Sequence, residues 1–264
     1  MPLFDYHLHT PLCHHATGEP LDYVRAARAA GLSEVGFSDH NPMPVQFDDW
    51  RMAPDELPQY LAMIEAARRA VPDFPIRLGL ECDFIPGYEG HIRDLAGKAD
   101  WDYLIGSVHY IAPGWDVDNP KHLKKFTEHP VGQVWELYFQ AYAAMAASGL
   151  FDFLAHPDLV KKFGHRPEGD LVPYYRTAIE AIGDHGAAIE VSTAGLRKEV
   201  GEIYPSREFL ELAFRAHVPV LINSDAHKPE EVGHEFARAL ALVKEVGYAE
   251  VTRFVGRKKI PTRL

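Results

Sequence analysis

Seven short apolar runs recur along the chain, each followed by a longer amphipathic stretch, and this alternation limits the possible folds more than any other feature. The runs cover 3–9, 34–39, 76–83, 103–109, 153–156, 188–192 and 220–224, and the helix-like stretches 21–30, 55–70, 88–96, 132–147, 174–183, 206–216 and 232–246. Several runs are almost continuously apolar, as strands buried on both faces of a parallel sheet must be. The punctuation agrees: glycine closes Ala29-Ala30-Gly31 and Ala147-Ser148-Gly149, Ser206 is placed to cap a helix, and Pro219 marks the step into the last run. No linker or low-complexity tract interrupts the rhythm. At 264 residues and 47% hydrophobic, the chain can bury one large core. The alternation predicts a single α/β domain over 1–264, a closed or nearly closed (β/α)7 barrel, with a doubly wound open sheet as the alternative. The longer loops, 41–54, 111–131 and 161–173, all follow strands, where a βα barrel builds its active-site mouth.

The polar residues that end these runs are not scattered. His7 and His9 are one residue apart, so on a strand they project to the same side. Asp39 and His40 close the second run, Glu81 and Asp83 the third, His109 the fourth and His156 the fifth, while Asp225 and His227 follow the seventh. Six of the seven runs thus bring a His, Asp or Glu to one rim. Such groups at the ends of buried strands are costly unless paired, and a cluster of divalent cations would satisfy them together. Nitrogen and oxygen donors suit zinc, iron or manganese, and the lack of cysteine in the set argues against a thiolate-type structural zinc site. Each member alone is weak: a lone His-x-His is more often packing than ligation, and Glu81 alone reads equally well as an ion-pair partner. His14-His15 follows the first run closely enough to fold back over the rim, and spacing does not choose between the two. The remaining seven histidines fall on helices, helix ends or loops and read as ordinary surface residues.

The net charge of −11 argues against a nucleic-acid-coating surface, which needs a basic stripe, but not against a small anionic substrate. Two cysteines, Cys13 and Cys82, give no disulfide framework and suit a reducing compartment. The opening MPLFDYHLHT lacks the regions of a signal peptide, and no run reaches membrane-spanning length. A cytoplasmic protein without a membrane partner is expected, and Tyr- and Phe-bearing helices leave room for a homo-oligomer.

His7-x-His9, His15, His40, Glu81, His109, His156 and the ending Ser224-Asp225-x-His227 resemble the polymerase and histidinol phosphatase (PHP) family. The segments DYHLHTPLCHHA, FSDHNPM, GLECDFIPGYE, GSVHYI and LAHPDLVKKFG look like its histidinol-phosphate phosphatase branch, and the resemblance covers almost the whole chain. The resemblance implies a distorted (β/α)7 barrel with a trinuclear metal centre whose nine ligand positions are all filled. It implies a first metal on His7, His9, Glu81 and Asp225, a second on Glu81, His109 and His156, and a third on His15, His40 and His227. It selects His15 over His14, makes Glu81 the bridging carboxylate and implies L-histidinol phosphate, in histidine biosynthesis, as substrate.

A carboxylate-bridged metal pair lowers the pKa of a shared water, so the expected nucleophile is a bridging hydroxide and no covalent intermediate forms. The phosphate also needs cations. Arg197 is the first candidate, because it follows a strand without a metal ligand and a guanidinium suits bidentate phosphate contact; Lys161 is the second. Asp225 is a candidate proton donor to the leaving group, and Asp39, Asp83 and Asp158 are candidates for orienting imidazoles. Phe47, Trp50 and Trp115 lie on long post-strand loops and could close over a substrate, although loop packing explains them as well. The rival readings are a PHP-type phosphoesterase acting on nucleotides or other small phosphates, an amidohydrolase-like metal hydrolase, and a non-catalytic metal-binding protein.

Overall fold

A computed structural model describes residues 3–46 and 48–264. Its strands are β1 (Leu3–Leu8), β2 (Leu32–Phe37), β3 (Ile76–Asp83), β4 (Tyr103–Ser107), β5 (Tyr110–Ala112), β6 (Trp115–Asp116), β7 (Phe153–Leu154), β8 (Ala188–Ser192), β9 (Val220–Asn223), β10 (Glu250–Val255) and β11 (Lys258–Arg263). The helices are α1 (Pro20–Ala29), α2 (Leu57–Ala70), α3 (Glu89–Ala96), α4 (Lys125–Glu128), α5 (Val131–Ala147), α6 (Val172–His185), α7 (Arg207–Arg215) and α8 (Phe236–Val246). Seven strands form one parallel sheet in the order β1-β2-β3-β4-β7-β8-β9. The seam is joined just past β9. His9 N donates to Ala226 O and Ala226 N to His7 O, both at 3.0 Å, and Tyr6 N donates to the Asn223 side chain at 2.8 Å. The result is a nearly closed (β/α)7 barrel of the PHP type, not an open sheet.

Several strands stop one or two residues earlier than the apolar pattern suggests: β1 at Leu8, β2 at Phe37, β4 at Ser107, β7 at Leu154 and β9 at Asn223. Of the polar residues expected at strand ends, His7, Glu81 and Asp83 stay within β1 and β3, while His9, His109, His156, Asp225 and His227 sit just beyond their strands, where the backbone is released from the pleat. Two of them use that release fully. His156 and Asp225 have φ of 24° and 52°, in the left-handed region that a residue with a Cβ seldom occupies. Such conformations cost about 1–3 kcal/mol and persist where the surroundings enforce them.

The barrel interior is filled by aromatic rings. Tyr103 crosses from β4 towards β2 and β3, its hydroxyl donates to Tyr6 O at 2.7 Å, and its ring packs on Tyr6 and Phe153. A Cβ on Gly36 or Gly79 would lie 2.1 Å from Tyr103 atoms, so these two strand positions are glycine because the ring lies against their backbone.

The sequence pattern missed the C-terminal hairpin β10–β11. Its two-residue turn, Gly256-Arg257, has positive φ at both positions, as a type I′ turn requires. It covers the end of the barrel away from the rim. Phe254 stacks on Phe153 with centroids 5.4 Å apart, Arg253 bonds buried Glu34, Gly256 N donates to Asp102, and Arg257 pairs with Asp152 at 2.8 Å. Helix α8 begins at Phe236 and not at 232, because Gly233 and Glu235 adopt positive φ and break the run.

Candidate metal centre

His7 and His9 leave β1 on the same side, as period-2 alternation requires, and meet Glu81 from β3 and Asp225 from beyond β9. His7 Nε2 is 3.2 Å from Glu81 Oε2 and 3.7 Å from Asp225 Oδ1; His9 Nε2 is 3.6 and 3.2 Å from the same two atoms. Ligands about 2.0–2.2 Å from a tetrahedral ion stand about 3.3–3.6 Å from one another, so the spacing fits a single divalent cation. The polar accounting agrees: His7 Nε2, His9 Nε2 and Glu81 Oε2 are buried without hydrogen-bond partners among the described residues. Leaving three such atoms unpaired is costly, and a cation between them removes the cost.

The other oxygen of Glu81 faces elsewhere. Glu81 Oε1 is 3.3 Å from His156 Nε2 and 3.9 Å from His109 Nε2, so the carboxylate can bridge two positions. A third cluster gathers around His227. Donor atoms of His9, His40 and His227 lie within 4.8 Å of one another, as do those of Cys13, His15 and His227. The His15 ring is 4.5 Å from His227 and 5.5 Å from His40. His14 points away to the Asp49 carbonyl and is exposed, so of the two neighbours His15 joins the cluster.

Most of these imidazoles are aimed by a contact at the other ring nitrogen, which fixes the tautomer and leaves one lone pair for an ion. His109 Nδ1 meets Asp83 Oδ1 at 2.6 Å and His15 Nδ1 meets Cys13 O at 2.7 Å. The longer His9–Asp39 contact is 3.4 Å. Asp83 is in turn held at 2.7 Å by buried Arg51, which ties the loop after β2 to the end of β3. The sequence reading missed the partner of His7: Glu190 on β8, whose Oε1 lies 2.7 Å from His7 Nδ1 and whose Oε2 accepts from His156 N at 2.9 Å. A carboxylate within the buried run Ala188–Ser192 was the available signal, since such a group must be paired. Asp158 does not orient an imidazole; it is 2.8 Å from Lys161 and accepts from Ser206 N.

Burial opposes charge on Glu81, but His40 and His7 hold its carboxyl well below the usual carboxylate range. Asp225, likewise buried, is held low by His7 and His9. The expected proton donor Asp225 is therefore kept as a carboxylate and is poorly suited to giving up a proton. Despite burial, Glu190, Glu81 and Asp225 raise His7 well above its ordinary value, and Asp83 raises His109 to about 10. Burial, with help from His9 and His109, lowers His40 to about 4 against the pull of Glu81.

The rim forms the floor of a cleft of about 410 Å³. Arg197 lines one wall. Its Nη2 donates to the carbonyls of Ser224 and Asp225 at 2.8 and 3.0 Å, while Nη1 is buried and unpartnered among the described residues. Lys161, the second expected phosphate contact, does not line the cleft. The 3₁₀ turn Leu159–Lys161 directs it inward, where Asp158, Glu202 and the Ile203 carbonyl surround the ammonium; the next residue, Lys162, lines the cleft instead. Trp50 lines the cleft with its ring edge-on to His40 and His109. Trp115 packs on Phe126 and His129 outside it, and Phe47 lies outside the described residues. Tyr204 and the 116–120 segment, neither singled out in the sequence, complete the walls.

The PHP domain family model matches residues 5–194. A Deinococcus radiodurans protein named "Probable histidinol-phosphatase" is 44% identical over 262 residues, covering 98% of this chain and 99% of its own. The histidinol-phosphatase of Bacillus subtilis is 28% identical, covering 88% of this chain and 96% of its own. A Lactococcus lactis histidinol phosphate phosphatase, crystallised with zinc, L-histidinol and phosphate, shares the fold with a TM-score of 0.84 at 20% identity, covering 98% of both chains.

Proposed function

Because the chain belongs to the PHP domain family, we propose that it is a metal-dependent phosphomonoesterase that hydrolyses L-histidinol phosphate to L-histidinol and phosphate, in histidine biosynthesis. The substrate follows the names of the relatives, above all the one 44% identical over nearly the whole chain. The observation that carries metal dependence is the meeting of His7, His9, Glu81 and Asp225 around buried, unpartnered donor atoms. The nine residues His7, His9, His15, His40, Glu81, His109, His156, Asp225 and His227 hold three divalent ions in this reading. Zinc, present in the Lactococcus lactis structure, is the leading identity; iron and manganese suit the same donors. No helix among the described residues is long and apolar enough to cross a membrane, which accords with work in the cytoplasm.

When bound, divalent ions on such a rim activate a water for in-line attack and neutralise the phosphoryl oxygens. The chain's own residues do the positioning. Glu81 uses its two oxygens to hold two donor groups in one register, and Glu190, Asp83 and Asp39 keep His7, His109 and His9 aimed inward. Arg197 offers its unpartnered Nη1 to a phosphoryl oxygen while its carbonyl contacts keep the guanidinium in place. Stabilising charge as it develops with fixed donors is worth several kcal/mol in such sites.

The test is phosphate release by metal-loaded protein from L-histidinol phosphate, a nucleotide and 4-nitrophenyl phosphate, with and without chelator. L-histidinol phosphate should be preferred, and the chelator should abolish turnover. Inactivity of the loaded protein on all three would overturn the enzyme reading, and preference for the nucleotide would overturn the substrate. Arg197→Ala should lower kcat/KM by more than about tenfold; a change below about threefold, under ~1 kcal/mol of transition-state binding, would remove Arg197 from the phosphate site.

A further inference from the structure

Two residues of the cleft wall have hydrogen-bonding capacity that neither the metal rim nor the fold uses. The first is Tyr204, between the turn that follows β8 and helix α7. Its side chain is 1% exposed, it lines the cleft, and its hydroxyl has no hydrogen-bond partner among the described residues. Buried phenols almost always find a partner, so an orphaned one at a cavity wall marks a place for a ligand atom. Its backbone is locked to Ser192 by two hydrogen bonds, which leaves little freedom to seek a partner elsewhere.

The second is Asp118, on the loop after β6. Its Oδ2 accepts from Lys162 Nζ at 3.1 Å, and the same ammonium donates to the Asp118 carbonyl at 2.6 Å, so Lys162 tethers the loop. No donor among the described residues reaches Oδ1. Asp116 is different: Asn119 and His122 occupy both its oxygens, and it shapes the loop. Asp118 and Tyr204 line the same cleft as Glu81 and His109 of the rim. Arg197 and Lys228 also line the cleft and provide positive charge. The cleft therefore combines an anion-accepting floor and cations with a carboxylate that has an open lone pair.

We infer that Asp118 and Tyr204 form a subsite for a cationic nitrogen of the substrate, the carboxylate and the phenolic oxygen each accepting a hydrogen bond from one ammonium. This rests on the phosphomonoesterase reading and assigns to two residues the recognition of the amine in aminoalkyl phosphates. Such a substrate presents its phosphate to the rim and Arg197 and its ammonium, a few bonds away, to Asp118 and Tyr204. Amine-free phosphates leave Asp118 Oδ1 and the Tyr204 hydroxyl without a donor and are disfavoured.

The test uses metal-loaded protein and two substrate pairs that differ only in the amine: L-histidinol phosphate against its des-amino analogue, and 2-aminoethyl phosphate against ethyl phosphate. Wild type should prefer the amine-bearing member of each pair in kcat/KM. Asp118→Asn should reduce that preference about 30-fold and Tyr204→Phe about fivefold, the first losing a charged partner and the second a neutral one. By calorimetry, Asp118→Asn should weaken binding of L-histidinol itself by a similar factor. Equal losses on both members of a pair would place these residues on the phosphate, the metals or the fold, and would overturn the inference, as would a wild type indifferent to the amine. If L-histidinol phosphate is not hydrolysed but the 2-aminoethyl preference exists and collapses in Asp118→Asn, the proposed substrate fails and the subsite stands.

Discussion

Each imidazole of the rim is only as useful as the contact at its other nitrogen. Glu190 makes that contact for His7 while also holding His156 N and the Asn223 side chain, so one buried carboxylate steadies three parts of the site. Glu190→Gln keeps the shape but loses the charge, and metal affinity measured by chelator competition should fall about 10–100-fold with the fold intact. An unchanged affinity would mean that packing alone orients His7. Protons supply a second test. His7 and His9 are raised well above the ordinary imidazole range, His109 to about 10, and His15 is raised as well, so protons compete with a metal ion for these rings. Ligation needs them neutral, so metal binding at pH 7 should release protons and affinity should climb as pH rises towards 10. His40, lowered to about 4, is already neutral and should contribute nothing. Calorimetry in buffers of different ionisation enthalpy reads the count, and zero release would contradict the picture.

At the scale of the elements, most of the barrel was legible because buried parallel strands are apolar on both faces and the helices between them are capped in recognisable ways. The strand ends were less so. His109 and His156 look like the last residues of apolar runs, yet each lies past its ladder, since alternation cannot signal where pairing stops; His40 keeps only a single bridge to Glu81. The metal rim was legible in the types of residue at those ends; Glu190 was hidden mid-strand, Tyr204 in a loop without periodicity, and the inward turn of Lys161 followed from a 3₁₀ phase that spacing does not reveal. The glycines of β2 and β3 show what the pattern leaves out. Gly79→Ala would press a methyl into the buried Tyr103 ring, and the denaturation midpoint should report a loss of about 1–3 kcal/mol or more. If the variant were as stable as wild type, Tyr103 would have to be free to move aside.

For the whole molecule, the rim and the hairpin occupy opposite ends of the barrel, which separates chemistry from support. The hairpin escaped the sequence reading because Glu250, Arg253, Lys258, Lys259 and Arg263 make it resemble a polar tail; Val251, Thr252 and Phe254 give it a buried face. Phe254→Ala should cost about 3–5 kcal/mol, seen as a lowered melting temperature, while molecules still folded keep their metal content. Loss of metal at full stability would mean that the hairpin acts on the rim.

The closing seam has a consequence for how the chain comes to function. Tyr6 bonds Asn223 across a sequence separation of 217, and the first strand's His7 and His9 share their cluster with Asp225, which emerges much later in synthesis. Pairings of such long sequence separation are slow to form and pay their loop entropy before any return. A growing chain thus exposes His-x-His long before its carboxylate partners exist. Metal capture by the complete cluster can occur only after the ribosome has delivered Asp225 and His227, so bound metal reports a closed barrel.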